Sequence, residues 1–292
     1  MNTNGKKFLA PSNGNFSLKD FDTKYDGDLE KEEGKLMLQE IKKQLSTAQE
    51  KLYAAQNQSV LLIFQAMDAA GKDSAIEHVM SGINPQGCKV YSFKAPNTTD
   101  YQHDFLWRHV QALPEKGIVG IHNRSHYENV LVCKVHPTYV LKERLPGYDD
   151  VEKIDHKFWK NRYKQIRNFE QHLVDNGTVV IKFFLHVSKE EQKQRFLDRI
   201  NDPSKNWKFA VGDLAERKHW SEYQQAYEDA IGATATEDAP WYIIPADKKW
   251  FARLAIAEII VDTLKGLALE FPTLPKEKQD ELLQSKQQLM EE

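Results

Sequence analysis

The sequence predicts an α/β protein in which a mostly parallel sheet lies between helical layers. Short, near-continuous apolar runs recur along the chain, as in strands buried on both faces. Between them, apolar residues recur at three- and four-residue spacing, as in amphipathic helices. The first apolar run, Val60-Leu61-Leu62-Ile63-Phe64, enters Ala66–Ser74 (AMDAAGKDS) and then a helix-compatible stretch with Ile76, Val79 and Met80. A strand, a loop with a Gly-Lys pair and a helix in that order form the context of a phosphate-binding loop.

The elements follow in order. Residues 1–30, rich in Asn, Gly, Ser and Asp, are expected to form an extended arm. Leu38, Ile41, Leu45, Ala48 and Leu52 mark an amphipathic helix, followed by a strand at 59–65. Cys88–Phe93 reads as a second strand, and Thr98 or Thr99 as the cap of a helix running to Leu113. Gly117–His122 reads as a third strand. Val151, Ile154, Phe158, Ile166, Phe169 and Leu173 stripe a long helix that stops at Asn176-Gly177. Thr178–Val187 is the strongest strand, and Ser188 with Glu191 makes a capping box after it. Trp241–Pro245 reads as a last strand, with Asp247 capping a helix that contains Leu254, Ile256, Ile259, Ile260 and Leu264. The domain organisation expected is the arm, one domain over 31–270 with a lid near 195–220, and a polar helical tail at 271–292.

Composition excludes several classes. The chain has 292 residues, 40% hydrophobic and 28% charged, as in an ordinary soluble protein. Its net charge of −3 argues against bulk attraction to nucleic acid or to an acidic membrane, so a polyanion would need a local basic patch. Two cysteines, Cys88 and Cys133, form neither a disulfide framework nor a zinc spacing, and a reduced, cytoplasmic setting is expected. The first residues lack an apolar stretch of signal-peptide length, and no run reaches the ~20 apolar residues that span a bilayer. The ten histidines show no metal-ligand spacing.

The chemistry concentrates at the predicted carboxyl edge of the sheet, where ligands of such folds bind. In the loop, Ala69, Ala70, Gly71, Lys72, Asp73 and Ser74 would aim backbone N–H groups at an anion, with a helix N-terminus adding positive charge. The standard motif G-x-x-x-x-G-K-[ST] is altered: Ala66 replaces the first Gly, and Asp73 replaces the hydroxyl residue that ligates Mg²⁺. Asp68 is then a candidate metal ligand. After the third strand, Asn123 sits where such enzymes usually place a metal-binding acid, Arg124 is suited to a transferring phosphoryl group, and Glu128 lies one helical turn beyond. Lys193, Arg195, Arg199, Lys205, Lys208, Arg217 and Lys218 form a basic run with Trp207 and Phe209 among them. Asp202-Pro203 and Gly212 punctuate it, as in a hinged flap. The plain alternative is a capped turn after the third strand and a solvated basic helix face.

These segments together resemble the type-2 polyphosphate kinases. The resemblance rests on Asp68–Asp73, Asn123–Asn129, Phe183 to Gln192, Asn206-Trp207-Lys208 with Asp213-Leu214, and Ala239-Pro240-Trp241, and covers about residues 30–268. It implies a three-layer αβα sandwich of P-loop kinase type, related to thymidylate kinase, with a helical lid. It also implies Mg²⁺ (or Mn²⁺) as cofactor, inorganic polyphosphate with AMP, ADP and ATP as substrates, and a dimer or tetramer. By the same resemblance Asp68 and Lys72 take loop roles, Arg195 and Arg199 lid roles, and Asn123 and Arg124 join the phosphate site. Asn123 with Glu128 resembles the subgroup that accepts both mono- and diphosphates. Arg162, Lys205 and Lys208 are expected to extend a basic groove for polyphosphate. The competing readings are an ATP-dependent nucleoside monophosphate kinase and a non-catalytic polyanion-binding module.

Overall fold

A computed structural model describes residues 5–291. Helix α1 (Lys31–Ala55) leads into strand β1 (Ser59–Ala66), whose first seven residues are buried. Helix α2 (Lys72–Met80) and strand β2 (Cys88–Ser92) follow, then one turn of helix, α3 (Trp107–Val110), and strand β3 (Val119–Asn123). Two single turns, α4 (Val132–Val135) and α5 (Thr138–Leu141), precede the long helix α6 (His156–Asp175) and strand β4 (Thr178–His186). Helices α7 (Lys189–Asn201), α8 (Val211–Lys218) and α9 (Trp220–Thr234), strand β5 (Trp241–Pro245), and helices α10 (Lys249–Gly266) and α11 (Lys276–Glu291) complete the chain.

The five strands form one sheet in the order β2-β3-β1-β4-β5, every pair parallel. Alternation along β4 shows how both faces are covered. Lys182 and Phe184 point toward α6 and α9, with the Phe184 and Tyr227 rings 4.2 Å apart. Phe183 points the other way and stacks on Phe64 at 5.0 Å. On that second side α10 packs against α1 and α2. Central β1 therefore delivers the loop after it to the middle of the carboxyl edge, between the ends of β3 and β4.

Several sequence expectations are corrected. The helix expected from Thr98 or Thr99 to Leu113 is broken into a 3₁₀ turn at Asp100–Gln102 and α3. Asn97 and Asp100 exchange side-chain to backbone hydrogen bonds (both 2.9 Å), His103 turns extended, and Asp104 accepts from Leu106 N at 2.8 Å. These short polar side chains offer the backbone an alternative to the helix. The long helix starts at His156, not near Val151, because Asp155 caps it through Phe158 N at 2.9 Å. Asp247 does not cap α10. Its carboxylate accepts from Ser188 N (2.8 Å) and Thr23 Oγ1 (2.9 Å). Ser188 caps α7, but the Glu191 carboxylate turns to Arg195, so the box is only half made. The N-terminal segment is pinned to the body: Phe8, Ala10 and Leu18 are buried, and Ala10 N donates to Trp241 O at 2.9 Å. Residues 1–4 of the expected arm and residue 292 of the tail lie outside the described residues. Helix α11 is exposed throughout.

Candidate active site

The loop after β1 is shaped by two residues in the left-handed region, Ala69 (φ 60°) and Gly71 (φ 96°). Gly71 suits this conformation, whereas Ala69 adopts it at a cost of order 1–3 kcal/mol. Gly71 O then accepts from Ala75 N at 2.9 Å, starting α2 with its N-terminus toward a cavity of about 610 Å³. Loop residues Ala66–Ser74 line that cavity with Arg124, Arg195, Arg199, Lys205, Lys208 and Lys249, and only Asp198 and Asp213 add carboxylates from outside the loop. A helix N-terminus facing a basic cavity is suited to an anion.

Lys72 donates to Asn123 Oδ1, and its ammonium lies 3.7 Å from Asp73. Burial holds this ammonium below the ordinary lysine range. Asn123 Nδ2 donates to Asp73 (2.7 Å) and Ser92 Oγ (3.3 Å), so the neutral amide at the end of β3 ties the loop to its neighbour. Arg124 follows with φ 63°, its N–H donating to Phe64 O at 3.1 Å. Its guanidinium stands between Asp68 (3.2 Å) and Glu128 (3.5 Å). The Glu128 carboxylate foremost, and Asp68 with it, raise the Arg124 pKa, while burial raises that of Glu128. With its amide nitrogen facing that carboxylate, buried Gln65 donates to Glu128 Oε1 at 2.8 Å.

Arg195 has a different task from the lid role that the resemblance implies. Nη1 donates to Ala69 O (3.1 Å) and Ala70 O (2.6 Å), Nη2 to Ala246 O (2.5 Å) and Asp247 O (3.1 Å), and Nε to Glu191 (2.7 Å). All five donors are engaged, and the side chain fastens the loop to the β5–α10 connection. Arg199 does face the cavity, donating to Lys208 O (3.1 Å) and lying 3.8 Å from Asp213. Lys205 and Lys208 line the same cavity, the former paired with Asp202 (2.5 Å) and the latter 4.9 Å from the Trp207 ring centre. Arg162 is corrected. It is buried, pairs with Glu143 through both terminal nitrogens (3.2 and 2.8 Å) and lies 4.1 Å over the Phe105 ring. A guanidinium spent this way does not extend the groove.

Sequence reasoning missed Gln192, Lys249 and Arg253. Gln192 Nε2 donates to Asp68 O (2.9 Å), Arg253 Nη2 donates to Ser74 Oγ (2.7 Å), and Lys249 projects into the cavity. Lys249 had a legible signal, since Lys248 and Lys249 lie within four residues of the end of the last strand. A second cavity of about 310 Å³ has Phe93, Tyr101, Phe105 and Tyr139 in its walls beside charged Arg108, Lys142 and Glu143, and shares Arg124 with the first. Among the described residues no group of three or more His, Cys, Asp or Glu is placed to hold a metal. Mg²⁺ commonly takes only one or two carboxylates and completes its shell with phosphate oxygens and water. Asp68 and Glu128, flanking Arg124 where the cavities meet, fit that requirement.

A family model described as polyphosphate kinase 2 matches residues 28–272. The chain belongs to the polyphosphate kinase 2 family. Within the family it is 52% identical over 246 residues to an ADP-polyphosphate phosphotransferase of Rhodopseudomonas palustris, covering 84% of each chain. It is 44% identical over 269 residues to an AMP/ADP-polyphosphate phosphotransferase of Meiothermus ruber, covering 91% of this chain and 95% of that one. The crystal structure of polyphosphate kinase 2 from Arthrobacter aurescens superposes with a TM-score of 0.87 at 37% identity, over 98% of this chain and 97% of that one. The five-stranded α/β fold is thus that of the family, P-loop kinase-like.

Proposed function

We propose that this chain is a polyphosphate-dependent nucleotide kinase, moving phosphoryl groups between inorganic polyphosphate and adenine nucleotides, AMP to ADP and ADP to ATP. One observation carries the reading. A cation-lined cavity over a helix N-terminus shares Arg124 as a wall with a second cavity that is lined in part by aromatic rings. The first suits a polyanion and the second a nucleoside, with the reacting phosphates meeting at Arg124. The names of the relatives from R. palustris and M. ruber support it.

In the forward direction a terminal phosphate oxygen of the nucleotide attacks the terminal phosphorus of polyphosphate. The bond from that phosphorus to the bridging oxygen breaks, and the shortened polyphosphate leaves as an oxyanion. The attacking oxygen is already ionised at neutral pH, so catalysis rests on positioning and charge neutralisation rather than on a strong base. Lys72 and the loop N–H groups hold the transferring group, and Arg124 stands over its junction with the acceptor. Arg199, Lys205, Lys208 and Lys249 follow the polyphosphate, and Arg195 keeps the loop in register. Asp68 and Glu128 would hold Mg²⁺ (or Mn²⁺), which would supply further neutralisation of phosphate charge. Residues 195–220 act as the lid, the setting is cytoplasmic, and two or four chains assemble.

The test combines protein, Mg²⁺, polyphosphate and either AMP or ADP, with no other donor, and measures ATP. ATP from either acceptor is expected, and its absence with both overturns the reading. If ATP and AMP alone yield ADP at full rate, the ATP-dependent monophosphate kinase takes its place.

A further inference from the structure

Beneath the site, inside the core, lies a charged network that the phosphotransfer chemistry does not touch. Lys182, on β4, donates to Glu170 Oε2 (2.5 Å) and to Thr234 O (2.9 Å). Glu170, on α6, accepts at Oε1 from the Tyr127 hydroxyl (2.7 Å) and lies 3.3 Å from His126 Nε2. The Tyr127 hydroxyl is also 3.0 Å from Thr234 Oγ1, which accepts from Trp241 Nε1 at 3.0 Å. Lys182 and Tyr127 are fully buried and Glu170 is 1% exposed. Burying such a pair is costly, and well-packed apolar residues would serve stability as well or better.

The network meets the site at one point. Tyr127 and His126 belong to the 3₁₀ turn His126–Asn129, which begins two residues after Arg124 and carries Glu128. Arg124 sits at φ 63°, a conformation that a side-chain-bearing residue keeps only when its surroundings over-determine it. On its N-terminal side β3 is paired to β1 through Asn123 and Phe64. On its C-terminal side Ser125 caps the turn through Tyr127 N at 3.2 Å, and Tyr127 is anchored to Glu170. We propose that the buried Lys182–Glu170 pair, acting through Tyr127 and His126, is a positioning device that sets Arg124 and Glu128 at the junction of the two cavities. It rests on the phosphotransfer reading, since the quantity it controls is the rate of that step.

The experiment uses Tyr127→Phe, which keeps the ring and the ion pair but removes the anchoring hydroxyl, with Glu170→Gln as a second variant. ATP formation from polyphosphate and ADP is measured for each, alone and combined with Arg124→Ala or with Lys249→Ala. We expect kcat to fall roughly 10- to 100-fold, the scale of a small misplacement of catalytic groups, with KM for polyphosphate unchanged. In the Arg124→Ala background Tyr127→Phe should cost little more, whereas with Lys249→Ala it should cost its full factor. A lowered melting temperature with kcat retained, or equal cost in both backgrounds, overturns the proposal. Inactive wild-type protein would instead sink the phosphotransfer reading.

Discussion

The Arg195 guanidinium donates to Ala70 O at 2.6 Å and thereby fastens α7 to the phosphate loop. With its other donors on Ala69, Ala246, Asp247 and Glu191, the side chain acts as a buried brace. Lysine has three donors on a point charge and does not span this set. Arg195→Lys should lower the melting temperature on the order of 5–10 °C and reduce activity with it. Arg199→Lys, at a half-buried side chain facing the cavity, should raise KM for polyphosphate and leave the melting temperature unchanged. Thermal melts beside steady-state kinetics separate the two; equal melting temperatures would refute the brace.

Arg162 gives the opposite test. Its guanidinium neutralises half-buried Glu143, so Arg162→Ala leaves a poorly solvated carboxylate uncompensated and should cost about 1–3 kcal/mol. Arg162→Met combined with Glu143→Leu should recover most of that loss. KM for polyphosphate should not change in either protein. Urea unfolding and kinetics measure both, and a raised KM would return Arg162 to the groove.

Strands β1, β4 and β5 were legible because each is a near-continuous apolar run, the signature of burial on both faces, whereas the edge strand β2, with Lys89 and Ser92 in it, has no buried residue. The helix expected up to Leu113 was misread because Asn97, Asp100 and Asp104 compete for the backbone, and nothing in apolar spacing reports that contest. The loop and the Arg124–Glu128 turn were legible as a motif in its strand–loop–helix context. The tasks of Arg195 and Arg162 were not, because a basic side chain looks the same whether it faces substrate or a carbonyl. Their partners, Ala246 and Glu143, lie 51 and 19 residues away in sequence and meet them only in the folded chain.

Lys249 is exposed, lines the phosphate-loop cavity and forms no ion pair shorter than 4.0 Å among the described residues. Its aliphatic stem passes close to Gly71: a β-carbon there would meet Lys249 Cε at 3.9 Å. Such a cation contributes attraction without a structural role. Lys249→Ala should raise KM for polyphosphate several-fold, with a loss that shrinks as salt is added and a melting temperature that stays put. Kinetics at two ionic strengths check this, and a salt-independent loss would contradict it.

Lys72 sets function against stability. Burial holds its ammonium below 10.5 in the folded chain. A depressed folded pKa contributes stability that is present above the unfolded value and lost as pH falls through the folded one. At pH 7, then, the charged lysine is a burden on the fold. Lys72→Met should abolish at least ~100-fold of kcat and yet melt higher than wild type at pH 7. The advantage should fade as pH rises toward 10.5. A variant that melts lower at pH 7 would contradict the assignment.

Buried histidines, His122 and His186 among them, make the fold sensitive to acid. Burial lowers the pKa of His122 and of His186 to about 4, from 6.5 in the unfolded chain. Both are depressed, so their contribution is complete above pH 6.5 and drains away as pH falls toward 4, where the unfolded chain binds protons that the native core refuses. Each should contribute on the order of 3 kcal/mol at neutral pH that is gone by about pH 4. His186 is 8% exposed and its Nδ1 has no hydrogen-bond partner, so His186→Asn removes the titration without breaking a side-chain bond at that nitrogen. Carboxylates also titrate in this range, which makes the informative quantity a difference of differences. The gap between unfolding free energies at pH 7 and pH 4, from urea curves, should be smaller in His186→Asn than in wild type. An unchanged gap would mean that His186 is protonated in the native core.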